Sequence, residues 1–269
     1  MMKKASKYKV WHLGFSISVA LVSLAFVTQI KTQVLASNSI LLSDNTGNSL
    51  TPDISALDIF RKAYENRYTW NPQFPGYTAV VELKHNKKYY RGNVLVKPDI
   101  SLKVTGINEE EARQLVEVSL QTILTHHRRV PFSEQHKNST FKLIATDNTG
   151  VTEIFEQGEK TEARYKISHN QLTQVNRLLG NTAVSVDVLD SEKTSEGYLA
   201  IRYQSTFQQP QTKQVMGVEE SKDTYVKTAG YYVLTHQVTQ DFQKRKLTDT
   251  ADFTYSNIQL LPSVPYIKD

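Results

Sequence analysis

Phe141 to Leu189 reads FKLIATDNTGVTEIFEQGEKTEARYKISHNQLTQVNRLLGNTAVSVDVL. It holds five short runs rich in β-branched and aromatic residues: Phe141–Thr146, Val151–Gln157, Glu162–Ser168, Leu172–Leu178 and Ala183–Leu189. Turn formers part them, namely Asp147-Asn148-Thr149-Gly150, Gly158, His169-Asn170 and Gly180-Asn181. No gap between the runs is long enough for a crossover helix, which needs about a dozen residues, so the strands are expected to pair antiparallel.

The same texture continues on both sides. Toward the C-terminus the strand candidates are Tyr198–Thr206, Asp223–Lys227, Tyr231–Phe242 and Leu247–Leu260. Phe207–Ser221, rich in Gln and without a period, reads as a long loop. Toward the N-terminus the candidates are Gly76–Lys84, Lys88–Lys97 and Ile100–Thr105, with turns at His85-Asn86-Lys87 and Pro98-Asp99. A sheet of about a dozen strands curls or closes.

Helical patterns occur twice. In Thr51–Arg67, Pro52 suits a first turn and Leu57, Phe60 and Tyr64 share a face. In Asn108–His127, Asn108 and Glu111 have capping-box spacing, and Leu115, Val116, Val118, Leu120, Ile123 and Leu124 form a broad apolar stripe. The expected fold class is therefore α+β: a large curved antiparallel sheet, a half-barrel, with two amphipathic helices covering its concave face. No internal repeat breaks residues 52–262, which read as one domain followed by a tail at 263–269.

The chain has 269 residues and a formal net charge of +5, from 32 basic and 27 acidic residues. Five of the basic residues (Lys3, Lys4, Lys7, Lys9 and Lys31) lie in residues 1–36, which contain no acid. The remainder balances at 27 of each sign, so composition gives no electrostatic case for a nucleic-acid partner. Lys3 to Lys9 precede an apolar run, LGFSISVALVSLAFV, and Val34-Leu35-Ala36 offers small residues for cleavage before Ser37. This is the layout of a secretory signal peptide, with an uncleaved membrane anchor as the rival reading. Ser37 to Thr51 reads as a flexible lead. Either reading puts the body outside the cytoplasm, in a periplasm or thylakoid lumen. Cysteine is absent, which excludes disulfides, thiolate metal sites and cysteine nucleophiles.

Two clusters invite a functional reading. The segment Arg67–Tyr77 contains Trp70, Phe74 and Tyr77 with two prolines. It is either an aromatic lip for a ligand or a packed loop leaving the first helix. His126-His127-Arg128-Arg129 ends the second helix, with His136 beyond it. Adjacent histidines point about 100° apart on a helix and are no metal pair. Arg128 and Arg129 either complement the helix dipole or hold an anionic head group. No G-x-S-x-G, P-loop, G-x-G-x-x-G or H-E-x-x-H occurs, so no catalytic residue, metal or cofactor is assigned.

Three stretches together resemble a known family. They are Asp58-Ile59-Phe60-Arg61-Lys62-Ala63-Tyr64-Glu65-Asn66-Arg67-Tyr68-Thr69-Trp70 running into Phe74-Pro75-Gly76-Tyr77, then Arg128-Arg129-Val130-Pro131-Phe132, and last Tyr231–Thr235 with Phe253–Ile258. The family is domain of unknown function 3386, uncharacterised proteins of cyanobacteria and plastid-bearing organisms, and the resemblance spans nearly all of 55–261. It implies no activity. The order helix, three strands, helix, long antiparallel run is also similar to the periplasmic lipoprotein-carrier fold, which implies an acyl chain held between sheet and helices.

The expectation is a non-enzymatic exported protein that binds or carries a lipid or other apolar molecule in the curved sheet. Leu115, Val118 and Ile123 would line the site, Trp70, Phe74 and Tyr77 its mouth, and Arg128 and Arg129 an anionic head group. The alternatives are a filled-core interaction module serving a membrane-associated protein partner in an envelope or thylakoid complex, and a hydrolytic enzyme.

Overall fold

The computed structural model describes residues 55–159 and 162–262. The export segment, the lead and the tail lie outside them. The elements run α1 (Ala56–Glu65), β1 (Tyr77–His85), β2 (Lys88–Val96), β3 (Leu102–Thr105), α2 (Glu110–His127), α3 (Phe132–Gln135), β4 (Thr140–Thr146), β5 (Thr152–Gln157) and β6 (Glu162–Ser168). Then follow β7 (Gln171–Leu179), β8 (Thr182–Thr194), β9 (Gly197–Gln208), β10 (Val215–Thr228), β11 (Tyr231–Gln243) and β12 (Lys246–Leu260).

All twelve strands form one antiparallel sheet in the order β3-β2-β1-β12-β11-β10-β9-β8-β7-β6-β5-β4. It is curved and does not close, because β3 and β4 are its two ends. Each strand candidate of the sequence corresponds to a strand. Turn chemistry explains the tight hairpins: Asn86 and Lys87 (φ 50° and 62°) and His169 and Asn170 (φ 51° and 57°) take the left-handed conformations that two-residue hairpin loops require.

One cross-strand row fixes the geometry. It runs Ile154, Tyr165, Val175, Val186, Ser205, Glu219, Asp241, Asp249, each opposite the next. Residues directly opposite in adjacent strands share a face. Ile154 and Tyr165 pack under α1 with Phe60 and Ala63. The far end of the row lies beneath α2. Both long helices therefore sit on the same, concave side. The interior holds two apolar clusters, a large one between α2 and β1, β2, β11 and β12, and a smaller one under α1.

Four expectations are corrected. The loop at Phe207–Ser221 is two strands and a short turn, since β9 ends at Gln208 and β10 begins at Val215. The first helix begins at Ala56, with Ser55 Oγ accepting from Asp58 N at 3.1 Å. Leu57 is 39% exposed and does not join Phe60 and Tyr64 inside. The second helix begins at Glu110 with Glu109 at its cap and no capping side chain, because the Glu109 carboxylate accepts from Lys88 Nζ on β2 at 3.2 Å. The short α3 carried no apolar period long enough to read.

Candidate functional site

α2 lies against β1 and β3, and Ala112, Val116, Leu120, Ile123 and Leu124 fill the space between. Leu115 and Val118, one step round the helix, are half-buried. They overhang a cleft over β9 to β12. Across this cleft a single side-chain hydrogen bond ties the helix to the sheet, Ser119 Oγ to Gln237 Oε1.

The cleft has two kinds of wall. Leu115, Val118, Ala251 and Phe253 are apolar, while Tyr203, Glu219, Ser221, Thr239, Asp241 and Asp249 are polar. As it stands, the cleft is partly open and offers about 40 Å³. That is far below ordinary ligand pockets, which run to about 300–1,000 Å³.

Three residues of the polar wall are acids. Glu219, Asp241 and Asp249 stand directly opposite one another on β10, β11 and β12. Like charges in that position repel. Burial and the neighbouring Asp241 push Glu219 up to about 8, and burial with Asp249 pushes Asp241 up to about 6. Asp249 accepts from His85 Nε2 at 2.8 Å, which raises the histidine. Behind this wall Asp223 is 3% exposed and takes bonds from Gln237 Nε2 at 2.8 Å and Tyr225 Oη at 3.0 Å. Burial pushes it up to about 7. Chemically, such carboxyls can exchange a proton near neutrality, and when neutral they donate hydrogen bonds.

These groups set the pH dependence of folding. An acid raised in the folded state favours the fold while protonated, and that stabilisation is lost as pH rises through its folded value. Protonated His85 acts in the same direction. Buried His127, pushed down to about 3, opposes them only below the ordinary histidine range. Between about pH 6.5 and about pH 9 the stability is expected to fall by about 2 kcal/mol, read as urea midpoints. Asp223→Asn with Glu219→Gln should flatten the slope. A wild-type profile already flat in that window sinks the assignment.

The residues singled out by sequence divide between cleft and core. Leu115 and Val118 line the cleft, and Ile123 is 4% exposed inside the core. Trp70, Phe74 and Tyr77 lie wholly within the large cluster and not at a mouth: Trp70 stacks on Phe74 at 3.9 Å and its Nε1 donates to Tyr232 O at 3.0 Å. The chain is pinned where it enters this segment, by Tyr68 N to Tyr198 O and Trp70 N to His127 O, each 2.8 Å. Arg128 and Arg129 are exposed beyond α2. His136 meets Glu156 at 2.7 Å in the small cluster, whereas His127 packs among Tyr68, Trp70 and Tyr225 in the large one. No group of three or more metal-ligating side chains occurs among the described residues.

Sequence reasoning missed the polar wall. Its trace was Glu219, Ser221, Asp223 and Tyr225, alternating with Glu220, Lys222 and Thr224.

A family model described as Protein of unknown function (DUF3386) matches residues 51–261. The chain belongs to this family. No curated protein matches this DUF3386 member. Among solved structures it is similar to a LolA superfamily protein from Nitrosomonas europaea, at 13% identity over 77% of this chain and 94% of that one. A DUF1329 family protein from Desulfovibrio piger matches at 8% identity over 76% and 92%. Both superpose with a TM-score of 0.25, so the DUF3386 architecture given above rests on this chain's own strand pairing. No helix among the described residues is long and apolar enough to cross a membrane.

Proposed function

We propose that this chain binds an amphiphilic molecule, a lipid or a similar ligand, in the cleft between α2 and β9 to β12. The observation that carries this reading is the division of the walls. An apolar tail would lie along Leu115, Val118 and Phe253, and a hydrogen-bonding head would meet Tyr203, Ser221 and Glu219. The small volume of the cleft requires α2 to lift from the polar side, where Ser119 and Gln237 hold it, while its opposite flank stays on β1 and β3. The lysines and apolar run of residues 1–36 support an extracytoplasmic place of work, in a periplasm or thylakoid lumen.

A second reading is a filled-core interaction module. The small volume of the cleft favours it, as does the core position of Trp70, Phe74 and Tyr77. The two readings separate in one experiment. The protein is purified from its native cells, extracted, and its lipids identified by mass spectrometry, beside Val118→Arg. The amphiphile reading expects one lipid class near stoichiometric amounts in wild type and at least about a tenfold loss in the variant, since an arginine fills the cleft. Equal circular dichroism spectra keep folding out of the comparison. No specific lipid on a stably folded wild type leaves the interaction module.

A further inference from the structure

The cleft between α2 and β9 to β12 carries charge of one sign. Glu219, Asp241 and Asp249 line it half-buried, and no lysine or arginine lines it among the described residues. His85 on β1 is already bonded to Asp249 at 2.8 Å. Glu219 and Asp241 form no ion pair among the described residues. Elsewhere acids of this chain do meet cations, as Glu82 with Arg91, Glu109 with Lys88 and Glu153 with Arg164. The body balances at 27 charges of each sign, so the excess of acid is local to the cleft. Carboxylates taken out of water without a cation are costly. A second feature lies behind this wall. Tyr255, one inward step beyond Phe253 on β12, is 3% exposed, and its Oη has no hydrogen-bonding partner among the described residues. Burial, then Tyr77 and Asp223, raise this hydroxyl, so it stays neutral, with lone pairs to which nothing donates.

We infer that the cleft takes amphiphiles whose head is a protonated amine and turns away those with a phosphate or carboxylate head. The inference rests on the amphiphile reading above and names the charge of the head. An ammonium brings three donors and no acceptor, which suits a wall of carboxyls and a tyrosine oxygen awaiting a donor. An anionic head in the same place would stand against like charges. A metal ion fits less well, since no group of three or more ligating side chains occurs among the described residues. The ionisable groups around the head are Tyr203 on β9, Glu219 and Asp223 on β10, Asp241 on β11, Asp249 on β12 and His85 on β1, while α2 brings none to the lining. His236 acts on Asp223, and Glu111 of α2 on His85. Burial holds Glu219, Asp223 and Asp241 up at about 8, about 7 and about 6. An ammonium favours their ionised forms, so it should bind more tightly as pH rises from about 5.5 to about 8, and release protons as it binds.

Titration calorimetry separates the heads from the tail. The delipidated protein from its native cells is given dodecylammonium, dodecyl maltoside and dodecyl phosphate, each below its micelle concentration. The ammonium should bind at least about tenfold more tightly than the phosphate, with the maltoside between them. Glu219→Gln with Asp241→Asn should shrink that preference to within about threefold, and unchanged maltoside binding shows that the variant is folded with its cleft intact. Should the variant misfold, the wild type decides by pH: its affinity for the ammonium should rise from about pH 5.5 to about pH 8 while that for the maltoside stays level. Equal binding of the three heads, a preference for the phosphate, or an ammonium affinity that is flat or falls with pH overturns the inference and leaves the amphiphile reading standing. Binding of none of the three removes the amphiphile reading and this inference with it.

Discussion

Trp70→Ala is expected to lower the stability of the protein by about 3–5 kcal/mol, the usual cost of removing a large aromatic from a packed core. Trp70 is 3% exposed, stacked on Phe74 at 3.9 Å with 14° between the planes, and edge-on to His127 at 5.0 Å. Alanine leaves a cavity among those rings and also removes the donor to Tyr232 O. That carbonyl belongs to the same residue whose N–H bonds Tyr68 Oη at 2.8 Å, so one substitution loosens two of the three hydrogen bonds between the aromatic segment and β11. Trp70→Phe keeps most of the stacking area and loses the hydrogen bond, and should cost only about 1–2 kcal/mol. Urea unfolding of the two variants measures both numbers. A domain of this kind has about 5–15 kcal/mol in all, so the alanine variant loses a large share of it. Losses below about 1 kcal/mol for alanine would mean that the indole faces a ligand space and not the core.

The strands were legible because most follow an elementary pattern. β1 alternates Tyr77, Ala79, Val81 and Leu83 inward, and β6 does the same with Ala163, Tyr165 and Ile167. The start of β10 was not legible, for a physical reason. Its inward positions are Gly217, Glu219, Ser221 and Asp223, while the apolar Met216 and Val218 alternate with them, so the inward face has no hydrophobic period. The wall that makes this region a candidate site is the same feature that hid its strand. Aromatic clustering identified Trp70, Phe74 and Tyr77 but could not tell a lip from a core, because both demand large rings with rigid neighbours. Leu115 and Val118 were legible as part of the α2 stripe, yet the stripe is wider than the contact, and only the fold shows which edge overhangs the cleft. Pairs such as Glu219 with Asp241, or His136 with Glu156, come from separate segments and meet only through strand register or packing.

Glu156→Ala should cost about 3–5 kcal/mol, because it strips a buried carboxyl from two side chains that bond to it and leaves both unpaired. Glu156 is fully buried in the small cluster beneath α1. Its Oε1 lies 2.7 Å from His136 Nδ1 and its Oε2 accepts from Tyr165 Oη at 2.7 Å. Against its burial, these two bonds and Ser139 hold the carboxyl below its ordinary range. The imidazole is enclosed by Phe60, Tyr64, Phe132 and Phe141, and its Nε2 has no hydrogen-bonding partner. Removing the carboxylate thus leaves a histidine nitrogen and a tyrosine hydroxyl unpaired in an aromatic box. Glu156→Gln retains one acceptor and one donor and should cost only about 1–2 kcal/mol. The loss is also expected to be local. The small cluster ties α1, α3 and β4 to β6 and β7, whereas the large one holds α2 to β1, β11 and β12. In Glu156→Ala, hydrogen exchange should therefore rise first in α1 and β4 to β6 while β11, β12 and β1 stay protected, as a separately opening unit would. Uniform loss of protection would instead show that the row from Ile154 to Asp249 couples both ends of the sheet into one cooperative body. A change under about 1 kcal/mol would remove the buried pair as the element holding α1 to the sheet.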